Sequence, residues 1–121
     1  MRSFYDAGQN AANAYRRAFA PQFSDYVEDV VLAADTLVRV PIPEGAGVAV
    51  FSFDGDFRVR LGVVATTFTL PATTTSNGSG SELSPAARVI PAKLGDGTTT
   101  PTHICLRAAA ACKGSIAFYG N

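Results

Sequence analysis

Residues 48–61 read VAVFSFDGDFRVRL, and the fold class turns on this stretch. Val48 to Phe53 is apolar at every position except Ser52, the pattern of a strand buried on both faces. Asp54-Gly55-Asp56 supplies residues that tolerate turn angles and bond their own backbone. Phe57-Arg58-Val59-Arg60-Leu61 then alternates, so Arg58 and Arg60 project from one face and the apolar residues from the other. The pattern predicts a β-hairpin over Val48–Leu61. Its outward arginines either stand in solvent or grip an acidic partner, phosphate or carboxylate.

The same grammar continues in both directions. Toward the C-terminus, Val63 to Leu70 reads as extended chain. Residues 71–85 (PATTTSNGSGSELSP) are polar and glycine-rich, and so long a connection in a compact domain is either functional or mobile. Asn77-Gly78-Ser79 matches a glycosylation acceptor, a chance match if the chain is not secreted. Arg88–Ala92 and His103–Ala108 read as strands on either side of a Leu94-Gly95-Asp96-Gly97 turn. Ser115–Tyr119 closes the series, with Ile116 and Phe118 facing inward. Toward the N-terminus, Pro41 and Pro43 place a strand over Thr36–Ile42 at an edge or a strand end, and Tyr26–Ala33 is a strand interrupted by Glu28 and Asp29. Short strands at close spacing, with no internal repeat, predict an all-β fold: an antiparallel β-sandwich, jelly-roll-like.

The period changes before Pro21. Ser3 is a candidate N-cap with Asp6 three residues on. Gly8, Ala11, Ala12, Tyr15, Ala18 and Phe19 recur at helical spacing, Arg16 and Arg17 suit the last turn, and Pro21 ends the helix. The organisation expected is a short N-terminal α-helical arm over residues 1–24 and a β-sandwich domain over 25–121. Isolated helices of this length are marginal in water, so the arm must be held by its own sandwich, a sister subunit or another protein.

Composition narrows the function. The chain has 121 residues, 47% hydrophobic and 17% charged, with ten basic and ten acidic residues balancing to a net charge of +0. Such a balance disfavours direct nucleic-acid binding, which needs clustered positive charge, and docking on anionic lipid. No stretch approaches a membrane span. MRSFYDAGQN lacks the apolar core of a secretory signal, so Cys105 and Cys112 are expected to be reduced thiols behaving as small hydrophobes. With the single His103 they are too few for a closed zinc site, and no cofactor is expected. Residues two apart on a strand share a face, so a His103–Cys105 dyad is conceivable, but nothing marks a third, orienting group. Asp54 and Asp56 are better explained by the turn than by calcium or acid–base chemistry. No catalytic motif is present, and the chain is read as a non-enzyme.

The segments VAVFSFDGDFRVRLG, SGSELSPAARVI and ACKGSIAFYGN, in that order, resemble a group of small β-sandwich virion proteins of tailed bacteriophages. The resemblance covers roughly residues 36–121. It implies a structural protein of the phage particle, a capsid decoration (cement) protein made in the host cytoplasm, commonly trimeric and bound to the major capsid protein or other virion proteins. The alternatives are a tail, neck or fibre component, or a glycan- or receptor-binding module of a phage appendage. Tyr5, Ala12, Tyr15, Arg16 and Phe19 on the arm, with Arg58 and Arg60 on the body, are the residues expected to meet a partner.

Overall fold

The computed structural model describes residues 1–4 and 21–120. The predicted helix, with Tyr5, Ala12, Tyr15, Arg16 and Phe19, lies outside the described residues. Among those described there is no helix, and eight strands follow in order: β1 (Tyr26–Leu32), β2 (Val38–Pro41), β3 (Ala46–Phe53), β4 (Arg58–Gly62), β5 (Glu82–Leu83), β6 (Ala87–Val89), β7 (His103–Arg107) and β8 (Cys112–Gly120). They form two antiparallel four-stranded sheets, β1-β8-β3-β6 and β2-β7-β4-β5. The ladders β1–β8, β2–β7, β3–β6 and β4–β5 pair the first half of the chain with the second in reverse. The chain is thus a long double ribbon folded at the β4–β5 connection. Only that connection stays within one sheet.

This arrangement corrects the predicted hairpin. Both arms are strands, but β3 pairs with β8 and β6, whereas β4 pairs with β7 and β5. Asp54-Gly55-Asp56 carries the chain from one sheet to the other. Side-chain packing explains why. Phe53 and Phe57 flank the reversal with ring centroids 4.3 Å apart, and Phe51 lies 5.7 Å from Phe57. The three rings fill the space between the sheets, which a flat two-stranded hairpin would leave in solvent on one side. Asp54 stays with the first sheet, its N–H donating to the Lys113 carbonyl (3.0 Å) and its carboxylate accepting from the Lys113 N–H (2.9 Å). Phe57 belongs to the second, its N–H donating to Ser84 Oγ (3.2 Å).

The two sheets share one core. Val30 and Leu32, Ala49 and Phe51, and Ile116 and Phe118 come from the first sheet; Val40, Val59, Ile104 and Leu106 come from the second. Each such side chain contributes about 1.5–3 kcal/mol when fully removed from water. β8 lies centrally, and Gly114 occupies its tightest point. A Cβ there would sit 2.1 Å from the Ser52 carbonyl oxygen and 2.6 Å from the Phe53 ring, so only glycine admits that ring. On β1, the outer strand of its sheet among the described residues, Glu28 lies opposite Ile116 and therefore on the core side. A carboxylate turned inward on an edge strand discourages another strand from pairing there.

Both flanks of the undescribed segment are fastened to β8. Ser3 bridges Gly120, and the Gly120 N–H donates to the Arg2 carbonyl (2.7 Å). Phe4 packs edge-on against Tyr119 at 5.2 Å, and the Tyr119 hydroxyl donates to the Gln22 carbonyl (2.7 Å). Ser24 Oγ donates to the Phe118 carbonyl (2.6 Å).

Candidate functional site

The outward face of β2-β7-β4-β5 carries four arginines around a thiol. The register sets Arg39 opposite Cys105 and Cys105 opposite Arg60, with Arg58 opposite Arg107. Val40, Ile104 and Leu61 occupy the alternate positions and point into the sandwich, which is why the arginines point out. They are not simply solvated. Arg39 Nε donates to the Thr66 carbonyl (2.8 Å), Arg107 Nη1 to Phe68 (3.2 Å), Arg60 Nη1 to Gly80 (2.6 Å) and Arg58 Nη1 to Ser81 (3.2 Å). All four acceptors lie on the 63–81 connection between β4 and β5, which is thereby laid across the sheet. Phe68 is buried beneath it. Arg107 also pairs with the Asp35 carboxylate at 2.8 Å. Among the described residues, Arg39, Arg58 and Arg60 meet no carboxylate.

The alternation did reveal that Arg58 and Arg60 share a face. What they hold there, the chain's own carbonyls, is invisible in sequence, because main-chain acceptors leave no residue signature. Arg39 and Arg107, which complete the set, carry no signal beyond their place in predicted strands.

The outward face of β1-β8-β3-β6 is different in kind. Val27, Ala117, Val50 and Ala87 stand in one register row across all four strands, and Tyr119, Val48 and Val89 form the next. Phe4 covers Tyr119 at one end. Val27, Val31 and Val89 remain 52%, 74% and 68% exposed. Asp29 and Lys113 are the strand charges on this face, both toward the β1 side and away from the row of Tyr119. Sequence reasoning missed the surface. Each strand gives up only one or two small apolar residues to it, and the row appears only once the register is known.

The remaining candidates resolve into structure. His103 and Cys105 do share the outward face of β7, but His103 Nδ1 lies 2.8 Å from Thr102 Oγ1. Cys105 is fully buried, and burial pushes its thiol up against the opposing influence of Arg39 and Arg60, the reverse of an activated nucleophile. Cys112 is half-buried and is also pushed up, by burial first and then by Asp54 and Asp56. Both cysteines are free. Asp56 accepts from Ser84 Oγ (3.3 Å), so both turn carboxylates are engaged in holding the sheet crossover. Among the described residues no group of three or more His, Cys, Asp or Glu side chains could hold a metal ion. A crevice of about 130 Å³ opens between the sheets near Phe51, Val59 and Ile104. At its mouth Arg88 of β6 grips Glu82 of β5 through Nε and Nη2 (2.9–3.1 Å), a half-exposed pair that links the two sheets. No protein family, curated protein or solved structure matches this chain.

Proposed function

We propose that this is a jelly-roll capsid decoration (cement) protein of a bacteriophage, a structural component that works as a homo-oligomer, a trimer, and stabilises the shell through contacts with the major capsid protein. The strand order 1-8-3-6 and 2-7-4-5, a double ribbon rolled into two sheets, supports the jelly-roll reading, and jelly rolls recur among capsid proteins. The fold alone assigns no function. The observation that carries the proposal is the apolar row Val27–Ala117–Val50–Ala87 together with the Tyr119–Val48–Val89 row beside it, in which Val89 is exposed. Apolar residues in register across all four strands of a sheet mark a surface built to be covered. The order of the three sequence segments that resemble phage virion proteins supports the same reading.

The mechanism is linkage. A protein that binds the assembled shell and not free subunits stabilises the shell by mass action, and many sites acting together make modest affinity sufficient. Copy number tests the assignment. Quantitative mass spectrometry of the purified particle should find it in proportion to the major capsid protein, hundreds of copies per virion. A few copies per particle would move the protein to a tail, neck or fibre, and its absence from particles would end the virion reading.

A further inference from the structure

We propose that the outer face of β2-β7-β4-β5 is a docking surface for a carboxylate-rich protein segment, and that the 63–81 connection occupies this surface in the free protein. Four guanidiniums gathered on a few strand positions carry one carboxylate, Asp35, among the described residues. With Asp56 beside Arg58 and Arg107 at the rim, four guanidiniums are set against two carboxylates, which leaves the face with a local excess of positive charge in a chain whose net charge is +0. Arg39, Arg58 and Arg60 each spend a donor on a neutral carbonyl. Guanidinium hydrogen bonds to carboxylates are shorter and roughly twice as strong as those between neutral groups, so an acidic segment outcompetes the carbonyls it replaces.

The connection is suited to displacement. Among the described residues, no main-chain N–H or carbonyl between Thr67 and Ser81 pairs with another main-chain group outside the strands. Residues 71–80 are exposed throughout. Among the described residues, what holds this stretch is the arginine set itself, with Phe68 as its one buried anchor. Two glycines, Gly78 and Gly80, have open space around them. The patch suits a peptide better than a nucleic acid, because three guanidiniums without a carboxylate partner fall short of the roughly 6–10 phosphate contacts of a strongly salt-dependent DNA-binding surface.

Cys105 reports the state of this face, since it is fully buried between Arg39 and Arg60, with its sulfur 3.9 Å from the Thr66 carbonyl. The test uses the full chain carrying Cys112→Ser, so that Cys105 is the one thiol, and fluorescent poly-L-glutamate as the probe. Poly-L-glutamate should bind at low ionic strength and weaken about tenfold or more between about 20 mM and 300 mM salt. At saturation it should speed Cys105 alkylation by about tenfold or more, as expected if the covering segment opens locally. Arg39→Gln/Arg60→Gln should lower affinity about tenfold or more. Arg39→Lys/Arg60→Lys keeps the charge without the planar fork and should fall between. Circular dichroism checks that each variant folds, and if the glutamine pair unfolds, the lysine pair and the salt titration decide. Failure of the wild type to bind at low salt overturns the proposal. So does binding that the substitutions leave unchanged, or a duplex DNA that binds more tightly than the polypeptide. Binding without faster alkylation overturns the displacement. The probe is a synthetic polymer, so none of these outcomes depends on the virion reading.

Discussion

Phe57→Ala should be among the most damaging single changes to this protein. The ring is 4% exposed and lies at the sheet crossover, against Phe53 at 4.3 Å and Phe51 at 5.7 Å. Its removal takes an aromatic side chain from the core and leaves a cavity that neighbours on two different sheets cannot both close. Substitutions of that kind cost about 3–5 kcal/mol, against a total stability of about 5–15 kcal/mol for a domain of this size. With about 4–8 °C per kcal/mol for a domain near 100 residues, the melting temperature should fall by at least about 12 °C. Arg58→Ala, one residue along, is the control. It removes one hydrogen bond to the Ser81 carbonyl from a half-exposed position, about 0.5–1.5 kcal/mol. Both are measured by thermal unfolding monitored at far-ultraviolet wavelengths, with urea unfolding as a check on two-state behaviour. Equal destabilisation by the two changes would refute the assignment of inward and outward faces on β4, and with it the crossover.

Other expectations follow from particular contacts. Gly114→Ala should destabilise by about 1–3 kcal/mol or more through overpacking, because its Cβ would meet the Ser52 carbonyl oxygen at 2.1 Å, whereas Gly80→Ala, with nothing within 4 Å, should be close to neutral; matching urea midpoints would show the β3–β8 register to be wrong. Intact-mass analysis should find two alkylatable thiols under denaturing, non-reducing conditions, and under native conditions Cys112 should react well before the fully buried Cys105; a mass two hydrogens lighter that resists alkylation would contradict both free thiols. Asp96 is held down to about 2, from an ordinary 3.8, by the Thr99 hydroxyl and then by the Thr99 and Thr98 N–H groups. Its folded value is depressed, so its stabilising contribution is complete above about 3.8 and is lost as pH falls through about 2. Carboxyl NMR titration should place its midpoint clearly below that of an ordinary Asp, and a midpoint near 3.8 would mean that the 94–99 turn is not formed.

The strands were largely legible, and their partners were not. Alternation at Arg58–Leu61 and the apolar run at Val48–Phe53 locate β4 and β3 because side-chain direction on a strand is a local property. Pairing is not local. Asp54-Gly55-Asp56 satisfies the requirements of a hairpin and of a sheet-to-sheet crossover equally, and what distinguishes them is the Phe51–Phe53–Phe57 cluster, visible only when both sheets are present. β5, Glu82–Leu83, hides in a polar run because two residues cannot display a period. Val63–Leu70, read as extended, contains no strand. It has the β-branched composition of one, yet its carbonyls at Thr66 and Phe68 go to Arg39 and Arg107 rather than to a ladder. The candidate surfaces were half legible. The outward pairing of Arg58 and Arg60 follows from alternation, whereas the apolar row on the other sheet depends on the register of four strands contributed from across the chain.

The most direct test of a decoration role is mechanical. Shells lacking the protein should assemble but rupture more readily on heating or at low ionic strength, where packaged DNA repels itself most strongly. Adding purified protein back should restore resistance and saturate at a fixed ratio per capsomer, the stabilisation reaching about 2.7 kcal/mol per site at a hundredfold excess over Kd. Depleted particles that are as robust as complete ones, with added protein failing to saturate any site on the shell, would contradict it.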